Sequence, residues 1–467
     1  MNVKKRTWWQ GFLFAILALF LVITTRVNAE EMPSMMDLIK EYGAEVNEAD
    51  KPKSAILIDG NTGKILWSEN PETPHNPASI MKLMVIYLTY EAMSEGKFNL
   101  ETTITATERH QQMSQIYAIS NNNIVAGVAY PVKELIGMAL VPSSNVATMM
   151  LAEQVEPDAV SFLALMNQKA KELGMKDTTI VNATGAEISA FDNIYALDGV
   201  DTSQLDMEGS NVSTAQDFSI FTYHLLKNFP EVLEYTKTPT LTVMKGTPYE
   251  ETFDTYNYSL AGLEHAYEGV DGLKTGSSSS GAFNIDITAQ RDDLRLIALV
   301  LGVGSWDDQT GEYKRHPFAN AILDYGFKHF EYKEILPVGE YELGKQKLMI
   351  HEPVWDVVRK GEVPEVKIIG ETEIELMNPL PQVSPTIPPV KGEIEKIPDS
   401  PVESIKKETT DFFGDFTEII NPAHPIVRWI LIIMGIILFF IVVMIVLILQ
   451  NSKKRKRARQ NRGEKLK

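Results

Sequence analysis

The 467-residue chain contains no cysteine. That absence excludes disulfides, thiol nucleophiles and thiolate metal sites. Histidine is sparse as well. Eight are scattered along the sequence, with no H-E-x-x-H and no close pair on one helix face. Neither a dedicated metal site nor a cofactor is therefore expected. The apolar content of 44% is that of a globular protein, and the length allows two domains with tails.

Long uncharged runs are confined to the two ends. "MNVKKRTWWQGFLFAILALFLVITTRVNAEE" combines a basic start, an apolar stretch and small residues near Ala29. It reads as a secretory signal over residues 1–29, cleaved after Ala29, with an uncleaved anchor as the alternative. Ile430 to Leu449 carries no charged or strongly polar residue. At ~1.5 Å per residue, such a run spans ~30 Å, one bilayer core. A single transmembrane helix is thus expected within 426–449. The basic "KKRKRARQNR" that follows marks 450–467 as a cytoplasmic tail, with everything before the helix outside the cell membrane.

Positive charge is scarce between those ends. The signal holds four Lys or Arg and the tail nine with one Glu, leaving residues 30–449 with 31 basic and 61 acidic groups, a net of −30. A domain so acidic is a poor partner for nucleic acid or an anionic surface. Any basic residue that matters in it must be a local exception.

From Pro52 to Phe330, strand and helix patterns alternate without a long break. "SAILIDGNTGKILWS" reads as a hairpin around Asn-Thr-Gly. "SIMKLMVIYLTYEAM" reads as a helix that is apolar all round, hence buried. "VKELIGMALVPSSNVATMMLAEQV" is helix, proline break, helix. "VDGLKTG", "AFNIDITAQ" and "LRLIALVLGV" form an antiparallel meander. The fold class is accordingly α/β in the α+β sense, a helical region packed on a mostly antiparallel sheet. Residues 331–378 read as a small β domain. Residues 379–425 open with a proline-rich stretch to 403, read as an extended spacer.

Within the buried helix, Ser79 and Lys82 are three apart and face the same way. Ser79 can be read as a helix cap with Lys82 snorkelling to water. Alternatively, a poorly solvated slot depresses the lysine, whose free amine then takes the serine proton and creates a nucleophile. Two further segments favour the second reading. "VPSSNVA" places Ser143 and Asn145 on a break between helices, where side chains can point into a cleft. "VDGLKTGSS" places Lys274, Thr275 and Gly276 on a strand entering a serine-rich turn. S-x-x-K, S-x-N and K-T-G, in that chain order, are the signature of penicillin-binding proteins and related β-lactamases.

The sequence resembles the low-molecular-mass penicillin-binding proteins that act as serine D-alanyl-D-alanine carboxypeptidases. The likeness covers about residues 50–330 and includes "MNQKAKELGMKDTTIVNATG", "VSTAQDF", "TYNYSL" and "YGFKHFE". It implies a β-lactamase/transpeptidase-like catalytic domain, with Ser79 acylated, Lys82 its base, and Ser143 with Lys274 a proton relay. It implies that Asn145 holds the substrate peptide, and that Lys274, Thr275 and Arg315 gather its terminal carboxylate. The backbone N–H groups of Ser79 and Ser277, beyond Gly276, would form the oxyanion hole. The implied partners are peptidoglycan stem peptides and inhibitory β-lactams.

Two other readings share these motifs. A class A β-lactamase adds a deacylating glutamate in an E-x-x-L-N pattern after S-x-N, and no such pattern occurs here. An inactive wall-binding protein would have no use for intact Ser79, Lys82 and Lys274. The chain departs from the family at Val146, where Asp often follows S-x-N, and at Gln216, where Arg is usual. Residues 186–210 are a longer connection, expected as a loop at the edge of the site. The small β domain is shorter than expected.

Overall fold

The computed structural model describes residues 32–397. The expected signal, transmembrane helix and basic tail lie outside the described residues. Among those described, no helix is long and apolar enough to cross a membrane. The described chain divides into two compact units, 32–338 with 351–393, and 339–350 with 394–397.

In the first unit the chain runs α1 (Met35–Tyr42), β1 (Ser54–Asp59), β2 (Ile65–Glu69), α2 (Lys82–Ser94), β3 (Thr103–Thr105), α3 (Glu108–Ser114) and β4 (Ala129–Pro131). It continues through α4 (Val132–Leu140), α5 (Asn145–Val155), α6 (Ala159–Leu173), α7 (Ala215–Asn228) and α8 (Leu233–Thr236). Then come β5 (Thr240–Val243), β6 (Glu251–Asp254), β7 (Val270–Ser278), β8 (Ala282–Arg291), β9 (Leu294–Val303) and α9 (Gly311–His329).

The main sheet has the order β2-β1-β9-β8-β7, each neighbour antiparallel. Successive side chains on a strand point to opposite faces. On β9, Ile297, Leu299 and Leu301 enter the core shared with the helical region, while Leu296, Ala298 and Val300 enter the core under α1 and α9. Both faces are covered, which explains why "LRLIALVLGV" is apolar at almost every position. α2 is likewise buried at every residue from Lys82 to Tyr90. The meander and the hairpin form as their alternation and turns predict. β7, which carries Lys274 to Ser277, is left at the sheet edge.

After α9 come β10 (Phe330–Leu336), β11 (Gly339–Leu343) and β12 (Gln346–Ile350). β13 (Val354–Arg359), β14 (Glu365–Ile369), β15 (Glu373–Met377) and β16 (Lys391–Ile397) follow. Within the first unit β10 pairs β13, β14 pairs β15, and Lys391 to Glu393 pair β15. In the second unit β11 and β12 form a hairpin, and Ile394 to Ile397 pair β12.

The spacer expectation fails over its described part. Residues 379–390 are fixed to the first unit rather than extended. Pro381 O accepts the Ile65 N–H at 2.8 Å, and the Val383 N–H donates to Gly63 O at 3.0 Å. The physical reason is that the prolines separate two apolar side chains, Val383 and Ile387, which are 1% and 2% exposed in the helical-side core. The β region accordingly ends not at 378 but with β16. A buried ion pair, Lys64 Nζ to Asp356 Oδ2 at 2.5 Å, ties β13 to the hairpin. Asn378 Nδ2 also donates to that carboxylate, at 2.9 Å.

Candidate active site

Ser79 lies in a 3₁₀ turn, Ala78–Met81, and α2 begins only at Lys82. The expected α-helical start at Ser79 is thus tightened by one turn. Side chains three apart eclipse in a 3₁₀ turn, so Lys82 Nζ and Ser79 Oγ share a hydrogen bond of 2.8 Å. The turn is held from outside. The Ala78 N–H donates to Asn76 Oδ1 at 2.9 Å, and Ala78 itself adopts φ 49°, a left-handed conformation costly for a residue with a Cβ.

Lys82 is completely buried and does not snorkel. Its amine donates to Thr184 O at 2.9 Å. Burial, with the nearby Lys274 charge second, holds it well below the usual lysine range. Among the described residues no carboxylate pairs with it. Such an amine is equipped to accept a proton from the hydroxyl beside it.

Ser143 occupies the break between α4 and α5 with φ 61°. Its Oγ is buried and makes no hydrogen bond. Asn145 is pinned by Ser120 O, which accepts both its backbone N–H and its Nδ2 at 2.8 Å. The Asn145 Oδ1 has no partner either. Unmet buried polar atoms are costly, and Ser143 lines the cleft described below.

The third segment comes from β7. Lys274, 2% exposed, donates to Thr275 O at 2.9 Å. Burial first, and the Arg315 charge second, lower its amine to about 7. Arg315 projects from α9 to within 3.0 Å of Ser277 Oγ and is lowered to about 10 by its own burial. Gly276 is required by contact. A Cβ there would lie 2.4 Å from Pro77 O and 3.1 Å from Ser79 N, so the edge strand runs directly against the turn that carries Ser79.

These segments enclose a cleft of about 80 Å³ lined by Ser79, Ser120, Ser143, Tyr256, Thr275, Gly276, Ser277, Glu312 and Arg315. Lys82, Lys274 and Asn145 are not among the lining residues. Ser120, Tyr256, Glu312 and the Thr184 carbonyl escaped the sequence reading. "TYNYSL" and "VNATG" flagged the segments of Tyr256 and Thr184 but not these atoms. The long connection at 186–210 is anchored by buried Ile188, Phe191 and Tyr195, and Ser210 Oγ comes within 3.3 Å of Ser280 Oγ in the turn after β7. Val146, at the family's usual Asp, is fully buried. Gln216, at the usual Arg, donates to Val383 O at 3.0 Å and so fastens the proline segment. No cluster of His, Asp or Glu among the described residues is arranged to hold a metal ion.

Comparison with known proteins gives the same direction. Residues 43–305 match the D-alanyl-D-alanine carboxypeptidase family, and residues 332–395 match a domain family of unknown function. The chain is 30% identical over 335 residues to the D-alanyl-D-alanine carboxypeptidase DacF of Bacillus subtilis, covering 69% of this chain and 77% of that one. Among solved structures, a peptidoglycan synthesis regulatory factor (PBP3) of Streptococcus pneumoniae superposes with a TM-score of 0.63 at 25% identity, covering 74% of this chain and 99% of that one. Penicillin binding protein 6B of Escherichia coli gives 0.55 at 26% identity, with 72% and 93% covered. A serine beside a buried amine, across from an edge strand that carries Lys274 with Arg315 reaching in from α9, within residues that match along most of the fold, leads to one assignment: the chain belongs to the D-alanyl-D-alanine carboxypeptidase family and is a serine-type peptidase.

Proposed function

We propose that Ser79 is the nucleophile that removes the terminal D-alanine from peptidoglycan stem pentapeptides. The Lys82 amine takes the hydroxyl proton as Ser79 Oγ attacks the penultimate carbonyl carbon. The backbone N–H groups of Ser79 and Ser277 stabilise the developing oxyanion. Ser143, with Lys274 behind it, returns a proton to the departing D-alanine amine, and water then cleaves the Ser79 ester with Lys82 again as base. Thr275, Lys274 and Arg315 collect the terminal carboxylate, while Asn145 holds the peptide upstream. β-Lactams acylate the same serine. The observation that carries this reading is the 2.8 Å contact between Ser79 Oγ and a Lys82 amine that burial holds well below the usual lysine range.

The apolar run at Ile430–Leu449 and the basic residues after it support a protein anchored in the cell membrane, its catalytic domain outside and its signal removed after Ala29. Intact-mass measurement of the purified full chain with a labelled penicillin tests the chemistry. A persistent adduct on the peptide containing Ser79, absent in Ser79→Ala together with D-alanine release, is expected. Rapid turnover of the antibiotic would instead favour a β-lactamase. Release of D-alanine by Ser79→Ala would exclude the mechanism.

A further inference from the structure

The cleft holds one charged side chain that the mechanism above does not use. Of its lining residues only Arg315 and Glu312 are charged, and both come from α9. They are three apart, so they project from one side of that helix. Tyr313 and Lys314, between them, line a separate groove, where Asp50 holds Lys314 at 2.9 Å. The half-buried Glu312 carboxylate has no hydrogen bond or ion pair among the described residues. Arg315, 1% exposed, has no ion pair among them either, and its Nε has no partner. One wall of the cleft thus presents an unpaired cation and, one turn away, an unpaired anion. Tyr256 lines the same cleft, and burial, followed by the Glu312 charge, raises its phenol. A carboxylate in the first turn of a helix suits the dipole, but any acidic residue of that turn would serve, without lining the cleft.

We propose that Glu312 is a specificity-determining residue, which selects by charge the side chain of the terminal amino acid whose carboxylate Arg315 holds. An ammonium on that side chain is drawn to the Glu312 carboxylate, with the Tyr256 ring as a further surface for a cation. A second carboxylate in the same place meets a like charge and is rejected. The methyl group of D-alanine gives Glu312 no charge to act on. Without Glu312 the preference would run the other way, since Arg315 and Lys274 both attract a second carboxylate. The substrate class is therefore peptides that end in a neutral or cationic residue, with an anionic terminal residue excluded.

This inference rests on the carboxypeptidase reading above. It is tested with the full chain and N-acetylated peptides ending in D-Ala-D-Ala, D-Ala-D-Lys or D-Ala-D-Glu, the released amino acid being measured by mass spectrometry. A partly exposed ion pair and the matching like-charge contact each change binding by a few-fold. Wild type should therefore release D-lysine with a kcat/KM about tenfold above that for D-glutamate. In Glu312→Gln the ratio should fall to one or below, which a purely structural role for the carboxylate would not produce. Glu312→Ser decides if the glutamine variant fails to fold, as judged by thermal melting. Wild type that releases D-alanine but treats D-lysine and D-glutamate alike overturns the proposal, as does a folded Glu312 variant that keeps the tenfold preference. Wild type that releases no D-alanine overturns the reading of the site itself, and this proposal with it.

Discussion

Gly276→Ala probes the contact on which the cleft depends. The added Cβ would sit 2.4 Å from Pro77 O, whereas Cβ contacts under 3.0 Å are essentially never seen. Its neighbours there are backbone atoms of the nucleophile turn, not the ends of flexible side chains. β7 and the turn must therefore separate by about 0.6 Å, the difference between those two distances. The Ser79–Lys82 hydrogen bond lies within one turn and survives. What opens is the distance between the two oxyanion donors, one on each segment. Displacements near 1 Å in a reacting geometry cost ~10²-fold, so a loss of about 30-fold in acylation rate, ~2 kcal/mol, is expected. Labelled-penicillin acylation measured over time reads this directly, with a melting curve to show that the fold persists. An alanine variant within threefold of wild type would mean that the strand and the turn are not in catalytic contact, and the assignment of Ser277 as a donor would fall.

Further outcomes follow from buried charge. The Lys82 amine must be neutral to act as base, and its folded-state value is depressed, so acylation should already be base-competent well below the pH at which free lysine loses its proton. Above about pH 7, Lys274 loses its charge. The KM for a carboxylate-bearing peptide should then rise with pH while the chemical step is less affected, which separate kcat and KM profiles resolve. Asp356→Ala leaves Lys64 buried without its partner and should destabilise the protein by about 3–5 kcal/mol, read by urea unfolding. A change below ~1 kcal/mol would show that the pair is not buried in solution.

The parts legible in the sequence are those whose signal is local. The hairpin around Asn61-Thr62-Gly63, the meander of β7 to β9 and the order of Ser79, Ser143 and Lys274 follow from alternation, turn residues and spacing. The 3₁₀ tightening at Ala78 was not legible, because it depends on Gly185 and Gly276. A Cβ at Gly185 would come within 2.0 Å of Ala78 O, and one at Gly276 crowds the same turn. Neither Thr184 O nor Ser120 O is visible to motif reading, since any residue supplies a carbonyl. The proline segment misled for a related reason. Its composition is that of a linker, and only the partners supplied by Gly63 and Gln216, far away in sequence, reveal that Val383 and Ile387 are core residues.

The setting of Lys82 also governs how the enzyme responds to its surroundings. Its amine touches only uncharged oxygens, those of Ser79 and Thr184. Its protonation is therefore fixed by exclusion of water rather than by a surface counterion. Dissolved salt screens exposed charges over about 10 Å at 0.1 M but reaches buried groups much less. Changes in ionic strength should thus alter how anionic substrates approach this acidic domain, while the readiness of the base stays almost constant.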